Sequence, residues 1–306
     1  MTQTRRGFLA GSTACAAGAT LGLVPRQAHA QTTLGAMTLD VVSDGSLTLP
    51  SSFIFDTMDP AAVAPIMEAF ALSPDTLTPP CNVTLLRYGA RTVLFDVGSG
   101  SGFMPDAGTL VASLDALSVA PDDITDVIFT HGHPDHLWGL LDDFDDPLFT
   151  QASYQMGQTE FDYWMNPNTV SQIGEARASF AVGAQRRLEI FADTMTFIND
   201  GDEVLPGVAA RATFGHTPGH MAFEVRDGSE AVMILGDSIS NHHVAFAQPA
   251  WIAGSDQDGE MAAQTRLSLL DQLSAEKTRV IGFHLPDGGV GYVERSGDSY
   301  RFVAEE

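Results

Sequence analysis

Apolar and polar residues alternate along this chain at two periods, and the switches between those periods mark a series of strands and helices. From Met37 the pattern alternates through Thr38-Leu39-Asp40-Val41-Val42, breaks at Ser43-Asp44-Gly45 and resumes at Leu47-Thr48-Leu49. That predicts a strand pair joined by a turn. Asp59-Pro60 opens a helix over 61–72, where apolar residues recur at helical spacing. Strands over 82–88 and 92–97 form a hairpin around Gly89. A helix over 110–119 then leads to a strand over 124–129. Beyond it come a short strand over 154–156, an aromatic helical turn over 159–165 and an amphipathic helix over 175–190. Strands over 194–197, 208–214, 221–225 and 231–235 follow, then a helix over 260–273 and a last buried strand over 279–283. Two runs of strands, each closing with helices, predict a two-sheet core with helices outside, folded as one domain over 31–306. No short repeat and no low-complexity linker divides it.

The chemistry collects where these strands end. Val127-Ile128-Phe129 is followed at once by Thr130-His131-Gly132-His133-Pro134-Asp135-His136-Leu137. Pro134 stiffens this loop, and Asp135 is placed to start a helix. In an H-x-H-x-D-H string alternate residues point one way and the last two another, so one loop can start two neighbouring metal sites. The chain has 9 histidines, and a surface turn that merely happens to hold three of them is a poor account of that clustering. Three more motifs stand at later strand ends: His216 and His220 in Gly215-His216-Thr217-Pro218-Gly219-His220, Asp237 after Ile234-Leu235-Gly236, and His284 in Gly282-Phe283-His284-Leu285-Pro286. A lone histidine at a strand end is ordinarily a core or surface residue. The joint pattern is what carries the signal.

In these motifs the chain resembles the metallo-β-lactamase superfamily, from about residue 82 to the C-terminus. The resemblance implies an α/β fold, an αββα sandwich of two mixed β-sheets flanked by helices. It implies that His131, His133 and His216 hold one metal, that Asp135, His136 and His284 hold a second, and that Asp237 bridges them. His220 would support the site, and Asp96 would brace the histidine loop by hydrogen bonds. The carboxylate at Asp237 departs from true β-lactamases, which carry Cys or Ser there, and His133 departs from the glutamate of the diiron flavoprotein branch. Asn241-His242-His243-Val244, Pro249-x-Trp251, Thr265-Arg266 and Phe283-His284-Leu285-Pro286 look like the methyl parathion hydrolase-like branch, whose members often form homodimers. Acyl-homoserine lactonases share the ligand set but carry a tyrosine where this chain has Ser240. The basic C-terminal region of glyoxalase II is missing.

Imidazole and carboxylate donors suit two divalent ions, zinc first, with manganese, iron or cobalt also compatible. The absence of cysteine from the set disfavours copper(I) and iron–sulfur. A water shared by two such ions loses its proton near neutral pH, which points to hydrolysis of a carbonyl or phosphoryl centre with Asp135 and Asp237 at its heart. Trp138, Phe161, Tyr163 and Trp164, together with His242, are expected to wall an apolar pocket for a neutral small-molecule substrate: a lactone, aryl ester or phosphotriester. A redox iron protein on the same fold, a β-lactam hydrolase and a non-catalytic metal-binding protein are the alternatives.

Composition changes this picture at the edges. Arg5-Arg6-Gly7-Phe8-Leu9, a small-residue apolar stretch and Ala28-His29-Ala30 read as a twin-arginine export signal cut after Ala30, which makes the Tat translocase a partner and the periplasm or medium the destination. With that signal removed, 12 basic residues face 39 acidic ones, a formal charge of −27. Such a surface disfavours nucleic acid and anionic lipid, and no later apolar run is long enough to span a membrane. Cys81 is then the only cysteine left, so no intrachain disulfide is expected. It follows Pro79-Pro80 at a strand entrance and reads as a small core residue.

Overall fold

The computed structural model describes residues 30–305, so the expected export signal lies outside them but for Ala30. Two seven-stranded sheets form the centre of the molecule. In spatial order the first comprises Gln31–Leu34, Met37–Ser46, Pro80–Tyr88, Arg91–Phe95, Asp126–Ile128, Ser153–Gly157 and Thr196–Ile198. The second runs Glu203–Leu205, Val208–Ala212, Met221–Asp227, Glu230–Ile234, Arg279–Ile281, Val290–Ser296 and Ser299–Ala304. Leu39, Leu86, Phe95 and Ile128 of the first sheet bury themselves against Phe223, Val225, Ile234 and Ile281 of the second. Phe95 and Phe223 meet with ring centroids 5.2 Å apart. The outer face of the first sheet packs on helices Leu110–Ala116 and Ala178–Phe191, and that of the second on Gly259–Glu276. This gives four layers, helix–sheet–sheet–helix, each sheet buried on both faces.

Topology places the site. Arg91–Phe95, Asp126–Ile128, Ser153–Gly157 and Thr196–Ile198 run parallel, as do Glu230–Ile234 and Arg279–Ile281. Parallel strands discharge their connections at one edge, and ligands gather there in open α/β sheets. Asp96, the histidine loop, Asp237 and His284 all follow the carboxyl ends of these strands.

Three expectations are corrected. Ser43-Asp44-Gly45 is no hairpin turn but part of the long strand Met37–Ser46, whose true hairpin partner is Gln31–Leu34. Asp44 is wholly buried, and its carboxylate accepts hydrogen bonds from Ser99 N at 2.8 Å, Ser99 Oγ at 2.9 Å and Leu110 N at 2.9 Å. Leu49–Pro50 pairs instead with Thr76–Leu77. Arg279–Ile281 is not the last strand, because the hairpin Val290–Ser296/Ser299–Ala304 follows it. Asp59 does cap its helix, accepting from Ala61 N at 2.9 Å.

Candidate metal centre

The histidine loop is fixed from both sides before any ligand is considered. Asp96, held at φ 66°, accepts from Thr130 N, Thr130 Oγ1 and His136 Nδ1, each at 2.7 Å. Glu160, wholly buried, accepts from Gly132 N at 2.9 Å and Trp164 Nε1 at 2.6 Å with one oxygen. Its other oxygen takes Thr217 Oγ1 at 2.7 Å and Gly219 N at 2.9 Å. One carboxylate thus ties the loop over 130–137 to the loop over 213–220. Position 132 must be glycine, because a Cβ there would lie 2.3 Å from Trp164 Nε1.

Five imidazoles and two carboxylates converge in the space so framed. His133 Nδ1 lies 3.0 Å from His131 Nε2 and 2.9 Å from His216 Nε2. Asp135 Oδ2 lies 3.2 Å from His284 Nε2 and 3.5 Å from His136 Nε2. Asp237 Oδ2 is 3.3 Å from both His216 Nε2 and His284 Nε2, and its Oδ1 is 3.4 Å from His136 Nε2. Asp237 therefore stands between the two groups. Each imidazole's outward nitrogen has its own partner: Thr130 Oγ1 for His131 at 3.0 Å, Asp256 for His216 at 3.0 Å, Asp96 for His136 and the Pro80 carbonyl for His284 at 2.7 Å. His133 Nε2 meets Gln257 Nε2 at 3.1 Å, and Gln257 Oε1 is buried without a partner. Turning that amide over lets Oε1 accept the proton that a neutral His133 binding through Nδ1 carries on Nε2. The inward atoms Asp135 Oδ2, His136 Nε2 and Asp237 Oδ1 are buried with no hydrogen-bond partner among the described residues. Oxygen and nitrogen donors left bare in this way fit divalent cations.

Electrostatics agree. Burial holds His131 and His133 well below the ordinary imidazole value, so both are neutral donors. For His136 and His284 burial acts in the same direction, but the facing carboxylates outweigh it and raise both. Burial likewise opposes ionisation of Asp135 and Asp237, yet the His136 and His284 charges hold both carboxyls below their usual range. His220 is aimed elsewhere: its Nδ1 donates to Thr213 Oγ1 at 2.8 Å, and its Nε2 accepts from Asp237 N at 2.9 Å.

A cavity of about 280 Å³ opens over His133, Asp135, His216, Asp237 and His284. Its apolar wall includes Leu47, Leu49, Phe53, Ile54, Leu72 and Leu77 together with Phe103 and Phe180. His242 lines it. Trp138, Phe161 and Trp164 do not. Trp164 is wholly buried under Gly132, Phe161 packs on Phe197 at 4.8 Å, and Trp138 lies beneath the Arg187 guanidinium at 4.6 Å. Tyr163 likewise lies outside the lining and packs on Trp164 at 5.0 Å. Of these aromatics, Trp164 is the one packed directly against the histidine loop, at Gly132. Sequence reasoning also passed over Glu160, Asp256 and Gln257, whose partners lie far along the chain. Asp256 further accepts from the buried Arg266 at 3.2 Å. Thr265-Arg266, singled out in the sequence, was the one available hint.

An αββα sandwich with this histidine–aspartate cluster at one edge defines a metallo-β-lactamase-type protein. The family model for the metallo-beta-lactamase superfamily matches residues 78–284, and the chain belongs to that superfamily. An uncharacterised protein of Mycobacterium tuberculosis is 26% identical over 200 residues, covering 62% of this chain and 80% of its own. The N-acyl homoserine lactonase AttM of Azorhizobium caulinodans is 26% identical over 191 residues, 61% of this chain and 68% of its own. Among solved structures, AidC, a dizinc quorum-quenching lactonase in complex with a product, superposes with a TM-score of 0.85 at 23% identity, covering 91% of this chain and 97% of its own.

Proposed function

We propose that this protein is an exported dinuclear metallohydrolase that opens neutral ester-like substrates, lactones first, then aryl esters and phosphotriesters. The observation that carries this reading is Asp237, whose Oδ2 lies 3.3 Å from an imidazole of each group beneath an apolar cavity. His131, His133 and His216 would hold one ion, Asp135, His136 and His284 the other, with Asp237 shared. Two divalent ions bound there, zinc first, supply Lewis acidity, polarising a substrate oxygen and bringing the pKa of water from about 16 toward about 7. The protein's own contribution is placement. Leu49, Phe53, Leu72 and Phe103 take up the apolar part of the substrate and exclude water. Asp96, Glu160 and Asp256 keep the donors from shifting as charge develops. That AttM and AidC are lactonases supports a lactone as the first substrate to try, and the twin-arginine pattern supports export.

Metal analysis by mass spectrometry is expected to find two ions per chain. Zinc- and manganese-loaded protein is expected to hydrolyse at least one of a lactone, an aryl ester and a phosphotriester. Asp237→Asn should lower that activity at least about a hundredfold, since even partners one step removed from a metal contribute about 10- to 100-fold. Loaded protein inert on the whole panel, or a fully active Asp237→Asn, would refute the reading.

A further inference from the structure

Cys81 occupies a place that the ligand pattern of the sequence leaves out. It sits on the strand Pro80–Tyr88 with no exposed surface. Its Sγ, a carboxylate oxygen of Asp135 and a ring nitrogen of His284 all lie within 4.8 Å of one another. The placement is built rather than incidental. Asn82 N donates to the Phe283 carbonyl at 2.9 Å, and Asn82 Nδ2 donates to the carbonyls of Gly282 at 3.2 Å and Leu285 at 2.8 Å. His284 Nδ1 donates back to the Pro80 carbonyl at 2.7 Å. The residues on either side of Cys81 are therefore tied to His284 and to the backbone on either side of it. A second observation points to a ligand: Asp135, 6% exposed, has its Oδ2 buried in the same cluster with no hydrogen-bond partner among the described residues.

We propose that Cys81 is a thiolate ligand at the second metal position, beside Asp135 and His284. Binding replaces the S–H bond with a metal–sulfur bond and releases the proton to solvent. The inference rests on the two-ion reading above. A soft sulfur donor added to the imidazoles and carboxylates of this position favours zinc or cobalt over manganese.

Cobalt-loaded full-length protein tests it without reference to activity. Thiolate-to-cobalt charge transfer gives a near-ultraviolet band, which is expected in the wild type and in Cys15→Ser and lost in Cys81→Ser, with two cobalt ions retained in all three. X-ray absorption on the wild-type zinc protein needs no variant and is expected to show a sulfur neighbour at about 2.3 Å. Two bound ions with neither the band nor the sulfur shell would overturn the role of Cys81 and leave the hydrolase reading standing. A band that survives Cys81→Ser would overturn it as well. Protein that binds fewer than two ions would instead remove the two-ion reading on which the inference depends.

Discussion

Glu160 accepts four hydrogen bonds inside the protein, two at each oxygen, although burial pushes its carboxyl above the ordinary range. Glutamine has the same shape but turns one acceptor into a donor. Facing Gly132 N and Trp164 Nε1, or Gly219 N, its NH₂ leaves at least one N–H unpaired. Glu160→Gln is expected to cost about 1–3 kcal/mol, read by chemical denaturation; an unchanged midpoint would show the carboxylate is dispensable. Asp256 poses a different problem. It is shared between His216 Nδ1 and the Arg266 guanidinium, and the Arg266 side chain is only 3% exposed. Asp256→Asn keeps an acceptor for His216 but strips a buried cation of its counter-charge, a loss of about 3–5 kcal/mol. Metal affinity should fall about 10- to 100-fold as His216 loosens. Isothermal titration with zinc and denaturation of the loaded protein separate the two effects, and an affinity equal to wild type would deny Asp256 its positioning role.

At the scale of elements, what the sequence showed was what is local. His131, His133, Asp135 and His136 were legible because rare residue types fall in one loop behind one apolar strand. Helix Pro60–Ala69 was legible because Asp59 and Pro60 carry its start signal. Asp44 was misread because Ser-Asp-Gly is turn chemistry in isolation. Its burial comes from the backbone N–H groups of Ser99, Gly108 and Leu110, some 55 to 66 positions away. The aromatic turn Gln158–Met165 was seen, but not the direction of its side chains, which the contact with Gly132 decides. The apolar cavity wall was missed for a related reason: helix Ser52–Phe55 and the ribbon Leu49–Pro50/Thr76–Leu77 supply Leu49, Phe53, Ile54 and Leu77, and these, with Leu47 and Leu72, lie ahead of the family-matched residues 78–284. That segment is expected to set substrate length. Phe53→Ala should lower kcat/KM for a long-chain lactone or ester about tenfold relative to a short one, the scale of a lost apolar contact. Metal content should not change. Equal losses on both substrates in a kinetic series would place the selectivity elsewhere.

The molecule as a whole carries a formal charge of −24, from 39 acidic and 15 basic residues, and its only lysine is Lys277. A field of that sign repels an anion approaching the cavity and leaves a neutral substrate alone. Among the described residues no helix is long and apolar enough to cross a membrane. The field of exposed charges is screened by salt. At about 10 mM ionic strength the Debye length is about 30 Å, comparable with the molecule; at about 0.15 M it shrinks to about 8 Å. A matched pair of aryl esters, one neutral and one bearing a carboxylate remote from the reacting carbonyl, therefore separates steering from chemistry. Over that range kcat/KM for the carboxylate ester is expected to rise several-fold while the value for the neutral ester stays flat, with kcat little changed for either. A flat response for both would mean that the cations at the metal centre cancel the surface field at the cavity mouth. A falling response for the anion would mean that they reverse it, making acidic substrates the natural ones and removing the charge argument for a neutral ester.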